Sequence, residues 1–291
     1  MDLSVIIVNY NTRAMTVDCL DSVFANTRGV DFEVIVVDNA STDDSVEVLS
    51  RDNRITLVCS DENLGFGKAN NLGYSRSKGR NILLLNSDTI VRNNALKMMS
   101  DALDAADPRV GCLGAIMFGP DGKTPTSSFC RFPSIRSTLR FFASYYLRIS
   151  EKPYAPSPEG DVDYITGADL MIRRSLVEDE GLFDPHFFMY FEESEMQLRY
   201  ARAGYRRVVI QGPDIVHLEG ASFGETRRLN GNRGRMYFES MRLYMRKRYS
   251  LPKFVLFQII STGYIPLLMK NAQGFADFKS MFRALFLPVK R

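Results

Sequence analysis

Two groups of residues in this chain have types and spacings suited to chemistry. The first is Phe187-Phe188-Met189-Tyr190-Phe191-Glu192-Glu193-Ser194-Glu195, three carboxylates among four aromatics and a methionine. On a helix, Glu192, Glu195 and Arg199 share one face, and Glu195 precedes Arg199 by four residues. That is the spacing of a structural ion pair, worth about a few tenths of a kcal/mol when exposed. Glu193 points about 100° away from Glu192 and has no basic residue three or four positions on. A carboxylate flanked by aromatics and lacking a counter-cation is a candidate general base. The second group is a set of polar residues, each following an apolar run: Asn9-Tyr10-Asn11, Asp38-Asn39, Asn63 and Asn86-Ser87-Asp88. Singly, Asn and Asp at such places are turn formers. Together they outline a polar pocket along one sheet edge.

The elements that must carry these residues can be read from periodicity. The runs at 3–8, 32–37, 55–59 and 81–86 are short and β-branched or leucine-rich, as strands buried on both faces require. Amphipathic stretches at 13–26, 42–51, 67–78 and 93–106 lie between or after them and read as helices. Strand, helix, strand at this spacing predicts βαβ units and an open, mostly parallel sheet, with ligands expected outside the carboxyl ends of the strands. Residues 119–160 are rich in Pro, Ser, Gly and aromatics and read as a surface excursion, with one short helix at Ser134 to Arg148. Val162 to Arg174 read as a strand and turn, and 206–210 and 214–218 as two short strands.

The chain has 291 residues, 45% of them hydrophobic and 24% charged, with a net charge of +3, which excludes a disordered or fibrous protein. The charge is too small to indicate a nucleic-acid partner, and none is expected. Cys19, Cys59, Cys112 and Cys130 are widely spaced with no CxxC pair, so neither a zinc knuckle nor a disulfide framework is expected, and a reducing compartment is. The N-terminus does not read as a signal peptide. No P-loop is present, and Gly65-Phe66-Gly67-Lys68-Ala69-Asn70 lacks the third glycine of a dinucleotide site and follows the wrong strand. A nucleotide held without a glycine cradle needs its phosphates neutralised otherwise, and a divalent cation on Asp88 would do so. His217 ends a strand and His186 is the only other histidine, so on local grounds His217 reads as a hydrogen-bonded core residue.

The blocks SVIIVNYN, VVDNASTDDS, NLGFGKANNLG, LLLNSDT, TGADLMIRR, GLFDPHFFMYFEESEMQLRYARAGYR and VHLEGAS, in this order over about residues 3–224, resemble glycosyltransferase family 2. They resemble most its bacterial rhamnosyl- and galactofuranosyl-transferase-like branch. The resemblance implies a GT-A fold, a Rossmann-like α/β domain with a mostly parallel central sheet. Residues 1–225 would form that domain and 226–291 a helical C-terminal extension. It implies that Tyr10, Asp38 and Asn39 contact base and ribose, with Asn63 in the loop closing over the nucleoside. Asn86-Ser87-Asp88 resembles the metal motif, with Asp88 the ligand and His217 a second one for Mg²⁺ or Mn²⁺. Gly167-Ala168-Asp169 would line the sugar and acceptor cleft, and Glu192-Glu193 resembles the acidic dyad whose second carboxylate is the base. Two departures stand out. The metal motif is Asn-Ser-Asp rather than Asp-x-Asp, and the dyad is Glu-Glu where the branch usually has Glu-Asp.

The implied activity is an inverting, metal-dependent transfer of a sugar from a UDP- or dTDP-sugar to a glycan, the acceptor being a polyisoprenyl-linked surface polysaccharide intermediate. One base and one metal-assisted leaving group make a single displacement, which inverts the anomeric centre. The alternatives are an inactive nucleotide-sugar-binding protein of the same fold and a sugar nucleotidyltransferase. The latter normally has a glycine-rich triphosphate loop after strand one; here that place holds Asn-Tyr-Asn-Thr-Arg. Residues 226–253 hold nine Arg/Lys against Glu239 alone, and 254–269 are apolar, with Tyr244, Tyr249 and Tyr264 nearby. This reads either as a helix pair on an anionic membrane surface or as a hairpin packed on the catalytic domain. The apolar stretch, interrupted by Gly263 and Pro266, is expected to be too short and broken to span. The expected location is cytoplasmic, or peripheral on the cytoplasmic face of the inner membrane.

Overall fold

A strand with no polar break must be covered on both faces; the early runs at 3–8, 32–37 and 81–86 fold accordingly, while that at 55–59 takes the sheet edge and stays half exposed. The structure, a computed structural model, describes residues 1–126, 128–149, 160–218 and 231–287. It begins β1 (Leu3–Asn9), α1 (Arg13–Asn26), β2 (Phe32–Asp38), α2 (Ser45–Leu49), β3 (Thr56–Cys59), α3 (Gly65–Tyr74), β4 (Asn81–Leu85). Then come β5 (Thr89–Val91), α4 (Ala95–Ala105), β6 (Val110–Ala115), β7 (Phe129–Cys130) and α5 (Ile135–Leu147). A capping box of Ser134 and Ser137 starts α5, the helix expected inside the surface excursion. The chain continues through β8 (Gly160–Asp161), β9 (Tyr164–Ile165), β10 (Asp169–Arg173), α6 (Arg174–Glu180), α7 (Glu192–Arg202), β11 (Arg206–Ile210) and β12 (Ile215–His217).

The main sheet has the order β3-β2-β1-β4-β10-β6-β11-β8. β10 runs antiparallel between β4 and β6, and β8 antiparallel at the edge; the other pairings are parallel. The chain winds outward from β1 through β2 to β3, then returns to place β4 on the other side of β1. The topological switch point therefore lies between β1 and β4, and the crevice at their carboxyl ends is where a ligand fits. Alternation divides the core. Leu3, Val5, Ile7, Leu83 and Leu85 face α1 and α4, while Ile6, Ile82 and Leu84 face the α6–α7 side with Leu176, Met196 and Tyr200. Each such side chain contributes about 1.5–3 kcal/mol on full burial.

Gly65 ties this sheet to the segment preceding α7. Its φ is +77°, and a Cβ there would overlap the Phe188 carbonyl, which accepts from the Phe66 N–H at 3.0 Å. Gly65→Ala is expected to destabilise the protein by at least about 1–3 kcal/mol, because both strain and overlap must be relieved. Urea unfolding of the variant checks this; an unchanged midpoint would show that the loop is not locked.

The C-terminal part forms α8 (Gly231–Arg248), α9 (Leu251–Ile260), a 3₁₀ turn (Ser261–Tyr264), α10 (Ile265–Asn271) and α11 (Phe275–Phe286). The boundary expected at 225/226 falls outside the described residues. These helices share one apolar cluster with the preceding part: Phe238, Tyr244, Phe257 and Leu285 pack with Phe187 and Phe191. The basic helix α8 does not lie free. Its Lys247 pairs with Asp184 and with Glu195 at 3.1 Å, and its Ser240 hydroxyl donates to the Met189 carbonyl at 2.7 Å. The apolar stretch is longer than its sequence suggests. Residues Leu251–Asn271 form a helical run of 21 residues, long and apolar enough by length and composition to cross a membrane. Pro266 sits in the first turn of α10, where no N–H is required, and Gly263 sits in the 3₁₀ turn against the Phe142 ring.

Candidate active site

The parallel register places Asn9 beside Asp38, so the two carboxyl-end residues meet by construction. The Asn9 amide donates to Asp38 Oδ1 at 2.7 Å and to Ser41 Oγ at 3.0 Å, while its oxygen accepts from Thr12 and Thr16 at 3.0 and 2.7 Å. The second Asp38 oxygen accepts from the Ser41 N–H at 3.0 Å. Asn39 accepts from the Leu64 N–H at 2.8 Å and donates to Asn63 Oδ1 at 3.1 Å, so it holds the loop that opens α3. Thr12 Oγ1 lies 3.2 Å from Ser87 Oγ and bridges the switch point. Tyr10, Asp38, Asn39, Asn63 and Ser87 thus gather at one end of the sheet, with Tyr10 45% exposed at the rim. Sequence reasoning placed Asn9 at this edge without assigning it work. It is the hub, recognisable only once the strand register is known.

At the end of β4 the chain turns into β5, which pairs with β12 so that His217 lies opposite Thr89. The Leu218 N–H donates to the Asp88 carbonyl at 2.9 Å. This pairing brings His217 Nε2 to 3.2 Å from Asp88 Oδ1 and 3.4 Å from Asn86 Nδ2. Two residues separated by more than a hundred positions become neighbours, and His217, largely buried and hydrogen-bonded as its local reading expects, has Asp88 as its partner. Among the described residues no group of three His, Cys, Asp or Glu could hold a metal. The two donors suit a hard divalent cation that takes its remaining ligands from phosphate oxygens and water.

The acidic pair opens α7 through a strained turn. Tyr190 and Phe191 take φ of +70° and +65°, each costing about 1–3 kcal/mol for a non-glycine residue. The aromatic rings hold them there: Phe191 packs on Tyr237 and Tyr244 with centroids 5.1 and 5.7 Å apart. The turn sends the two carboxylates to different places. Glu192 is buried at 3% exposure beside Gly67 of α3. Glu193 lines a cavity of about 360 Å³ whose walls include Arg131, Tyr164, Tyr237, Met241 and Tyr264. One oxygen of each carboxylate is buried without a hydrogen-bond partner. Burial pushes both carboxyls above the usual range, and the Glu193 charge pushes Glu192 further. Glu193 is partly relieved by hydrogen bonds from its own N–H and that of Gly167. Two adjacent buried carboxyls resist carrying two charges together, and the pair shares its first negative charge, which leaves a carboxylate able to accept a proton.

Glu195 takes the structural role expected of it, but in a different setting. Its side chain is 6% exposed and pairs with Arg199 and Lys247, each at 3.1 Å. Arg199 also donates to the carbonyls of Glu180 and Leu182. Losing Glu195 would leave Arg199 without its carboxylate and Lys247 with Asp184 alone, so the cost rises from a few tenths to about 1–3 kcal/mol.

Of the cleft segment expected at Gly167-Ala168-Asp169, two residues act through their backbones. The Ala168 carbonyl accepts from the Asn86 N–H at 3.0 Å, and the Gly167 N–H reaches Glu193. One short segment thus connects the Asp88 end to the Glu193 end. Asp169 is fully buried at the start of β10, one oxygen accepting from the Ala115 N–H at 2.6 Å and the other without a partner. The cavity walls from α5 and α8 were not legible in the sequence, because they come from segments with no local motif.

A mixed sheet with its crevice at a switch point, a paired Asp and His, and an ionisable glutamate in a cavity define a nucleotide-dependent group-transfer fold of the GT-A type. Residues 4–181 match Glycosyl transferase family 2, and the chain belongs to that family. It is 32% identical over 125 residues to the succinoglycan biosynthesis protein ExoO of Rhizobium meliloti, covering 42% of this chain and 36% of that protein. It is 26% identical over 210 residues to the N-acetylglucosaminyl-diphospho-decaprenol L-rhamnosyltransferase of Mycobacterium tuberculosis, covering 66% and 68%. The match thus spans little more than a third of the first of these relatives. The fold is shared with S. aureus TarS in complex with UDP-GlcNAc, at a TM-score of 0.61 and 18% identity over 98% of this chain and 80% of that one. It is shared also with a mannosyltransferase of Pyrobaculum calidifontis in complex with GDP-Man and Mn²⁺, at a TM-score of 0.54 and 20% identity over 97% and 73%.

Proposed function

We propose that the protein is an inverting, metal-dependent glycosyltransferase that moves a sugar from a UDP- or dTDP-sugar to a glycan of a cell-surface polysaccharide. The observation that carries this reading is Glu193: a buried carboxylate set in an aromatic cavity and linked through Gly167 and Ala168 to the Asp88–His217 pair. The cavity receives the acceptor and positions its hydroxyl. Glu193 takes the hydroxyl proton as the oxygen bonds to the anomeric carbon and the bond from that carbon to the diphosphate breaks. Tyr10, Asp38, Asn39, Asn63, Asn86 and Ser87 form the nucleoside and diphosphate end. Asp88 and His217 would hold Mg²⁺ or Mn²⁺, which supplies charge stabilisation to the departing diphosphate.

In this reading residues 1–225 carry the catalytic domain, and 226–291 form the helical extension that walls the acceptor side. The protein works in the cytoplasm, where its free cysteines stay reduced. The acceptor is a glycan on a polyisoprenyl diphosphate; the decaprenol-linked substrate of the mycobacterial relative and the aromatic rings in the cavity walls support this. Incubation with UDP- and dTDP-sugars and Mn²⁺ tests the proposal. Release of the nucleoside diphosphate with at least one donor, and transfer with the opposite anomeric configuration, is the expected result. A protein that binds these donors and releases nothing is instead a binding module.

A further inference from the structure

We propose that α5 and the Leu251–Asn271 helical run together form a surface that docks this protein on an anionic lipid bilayer. The two elements are joined. The Tyr146 hydroxyl donates to the Gly263 carbonyl at 2.7 Å, and Tyr264 packs on Phe141 and Phe142 with centroids 5.7 and 4.7 Å apart. Their outer faces expose large apolar residues that nothing among the described residues covers: Tyr145 and Leu147 from α5, and Val255, Leu256, Ile259 and Met269 from the longer run.

Charge selects the occupant. Residues 134–149 carry Arg136, Arg140 and Arg148, residues 249–273 carry Lys253 and Lys270, and neither stretch contains an acid. At the root of α9, Arg242 and Arg246 lie over the Phe254 ring at 5.6 and 5.8 Å, and the Arg242 Nε is buried without a hydrogen-bond partner. An apolar face bordered by cations without acids fits acyl chains beneath anionic headgroups. The run lies along the bilayer rather than across it. Phe254, Phe257, Ser261, Tyr264 and Leu268 are buried against the rest of the protein at helical spacing, and a crossing helix would lose those contacts. The same surface borders the catalytic cavity, since Phe141 and Tyr264 also line it. A lipid-borne acceptor would therefore reach Glu193 without leaving the bilayer. That last step rests on the proposed activity; the docking does not.

Flotation of the full chain with phosphatidylcholine vesicles, with and without phosphatidylglycerol, tests the surface. Wild type is expected to bind the anionic vesicles about tenfold or more tightly than the neutral ones, less so at high salt, and to be released by alkaline carbonate. Leu256→Glu with Ile259→Glu, and separately Leu147→Glu, should reduce that binding by about tenfold or more while leaving Tm and donor hydrolysis unchanged. Equal binding by wild type and variants, or no preference for anionic lipid, overturns the proposal. So does retention after carbonate, which marks a spanning helix, or a lipid-independent dimer that the glutamates dissociate, which marks a contact between copies. Vesicle binding without donor turnover leaves the docking standing and removes the transferase reading.

Discussion

Glu193→Gln is expected to lower kcat by about 10²–10⁴ while leaving donor affinity nearly unchanged, because it keeps the shape of the base but cannot accept a proton. The cavity makes the contrast with its neighbours sharp. Glu195→Gln, on the side facing Arg199 and Lys247, should lose stability and keep most of its turnover. Glu193→Asp, the family's usual residue, has the charge but a shorter reach, and an intermediate rate is expected. Turnover by Glu193→Gln at the wild-type rate, with Glu195→Gln inactive, would reassign the base. The pH dependence follows from burial. The active form needs Glu193 ionised, so the acidic limb of kcat should lie above the ordinary Glu value of about 4.3. Stability runs the other way. A carboxyl whose folded pKa is raised contributes stability that is fully present below the unfolded value and is lost as pH rises through the folded one. Glu192, buried beside the Glu193 charge, contributes in this sense. Glu192→Gln should therefore gain stability relative to wild type as the pH is raised from about 4, and parallel melting curves would refute the buried pair.

Asp88→Ala is expected to abolish the metal-dependent part of nucleotide binding. Mn²⁺ with UDP or dTDP should stabilise wild type by about 2.7 kcal/mol at a hundredfold excess over Kd, a shift of several degrees in Tm for a chain of this size. EDTA should remove most of that shift. His217→Ala should weaken it, since His217 is the second donor in contact with Asp88. The Asn9–Asp38–Ser41 network is independent of the metal, so nucleoside contacts alone should leave a small residual stabilisation in Asp88→Ala. Equal stabilisation with and without EDTA would remove the metal, and undiminished metal-dependent binding by Asp88→Ala would remove Asp88 from its site.

Local pattern was enough to place β1, β2, β3 and β4 to within a residue or two and to find polar residues at each of their carboxyl ends. Burial on both faces writes itself into the uninterrupted apolar runs of β1, β2 and β4, and Asn9, Asp38 and Asn86 end those runs with side chains that need hydrogen-bond partners. The separation of Glu193 from the Glu195–Arg199 face was also legible, because helical geometry fixes the angle between successive side chains. The depth of a site was not. An i,i+4 pair looks the same in sequence at the surface and in the interior, and only the packing of α8 over α7 turned Glu195 into a buried, twice-paired anion.

What the sequence by itself determined is the βαβ framework, the polar edge of the sheet and the acidic pair at the start of α7, all features whose causes lie within a few residues of one another. Tertiary structure alone decided the rest. The β5–β12 pairing brings His217 to Asp88 across the chain. Insertion of β10 between β4 and β6 brings Asp169 to the Ala115 N–H and carries Gly167 and Ala168 between the two ends of the site. The cavity around Glu193 has walls from α5, α7, α8 and Tyr264, contacts between segments far apart in sequence. Such contacts form because each segment buries an apolar face that only the others can cover, and no periodicity within one segment records which partner it will find.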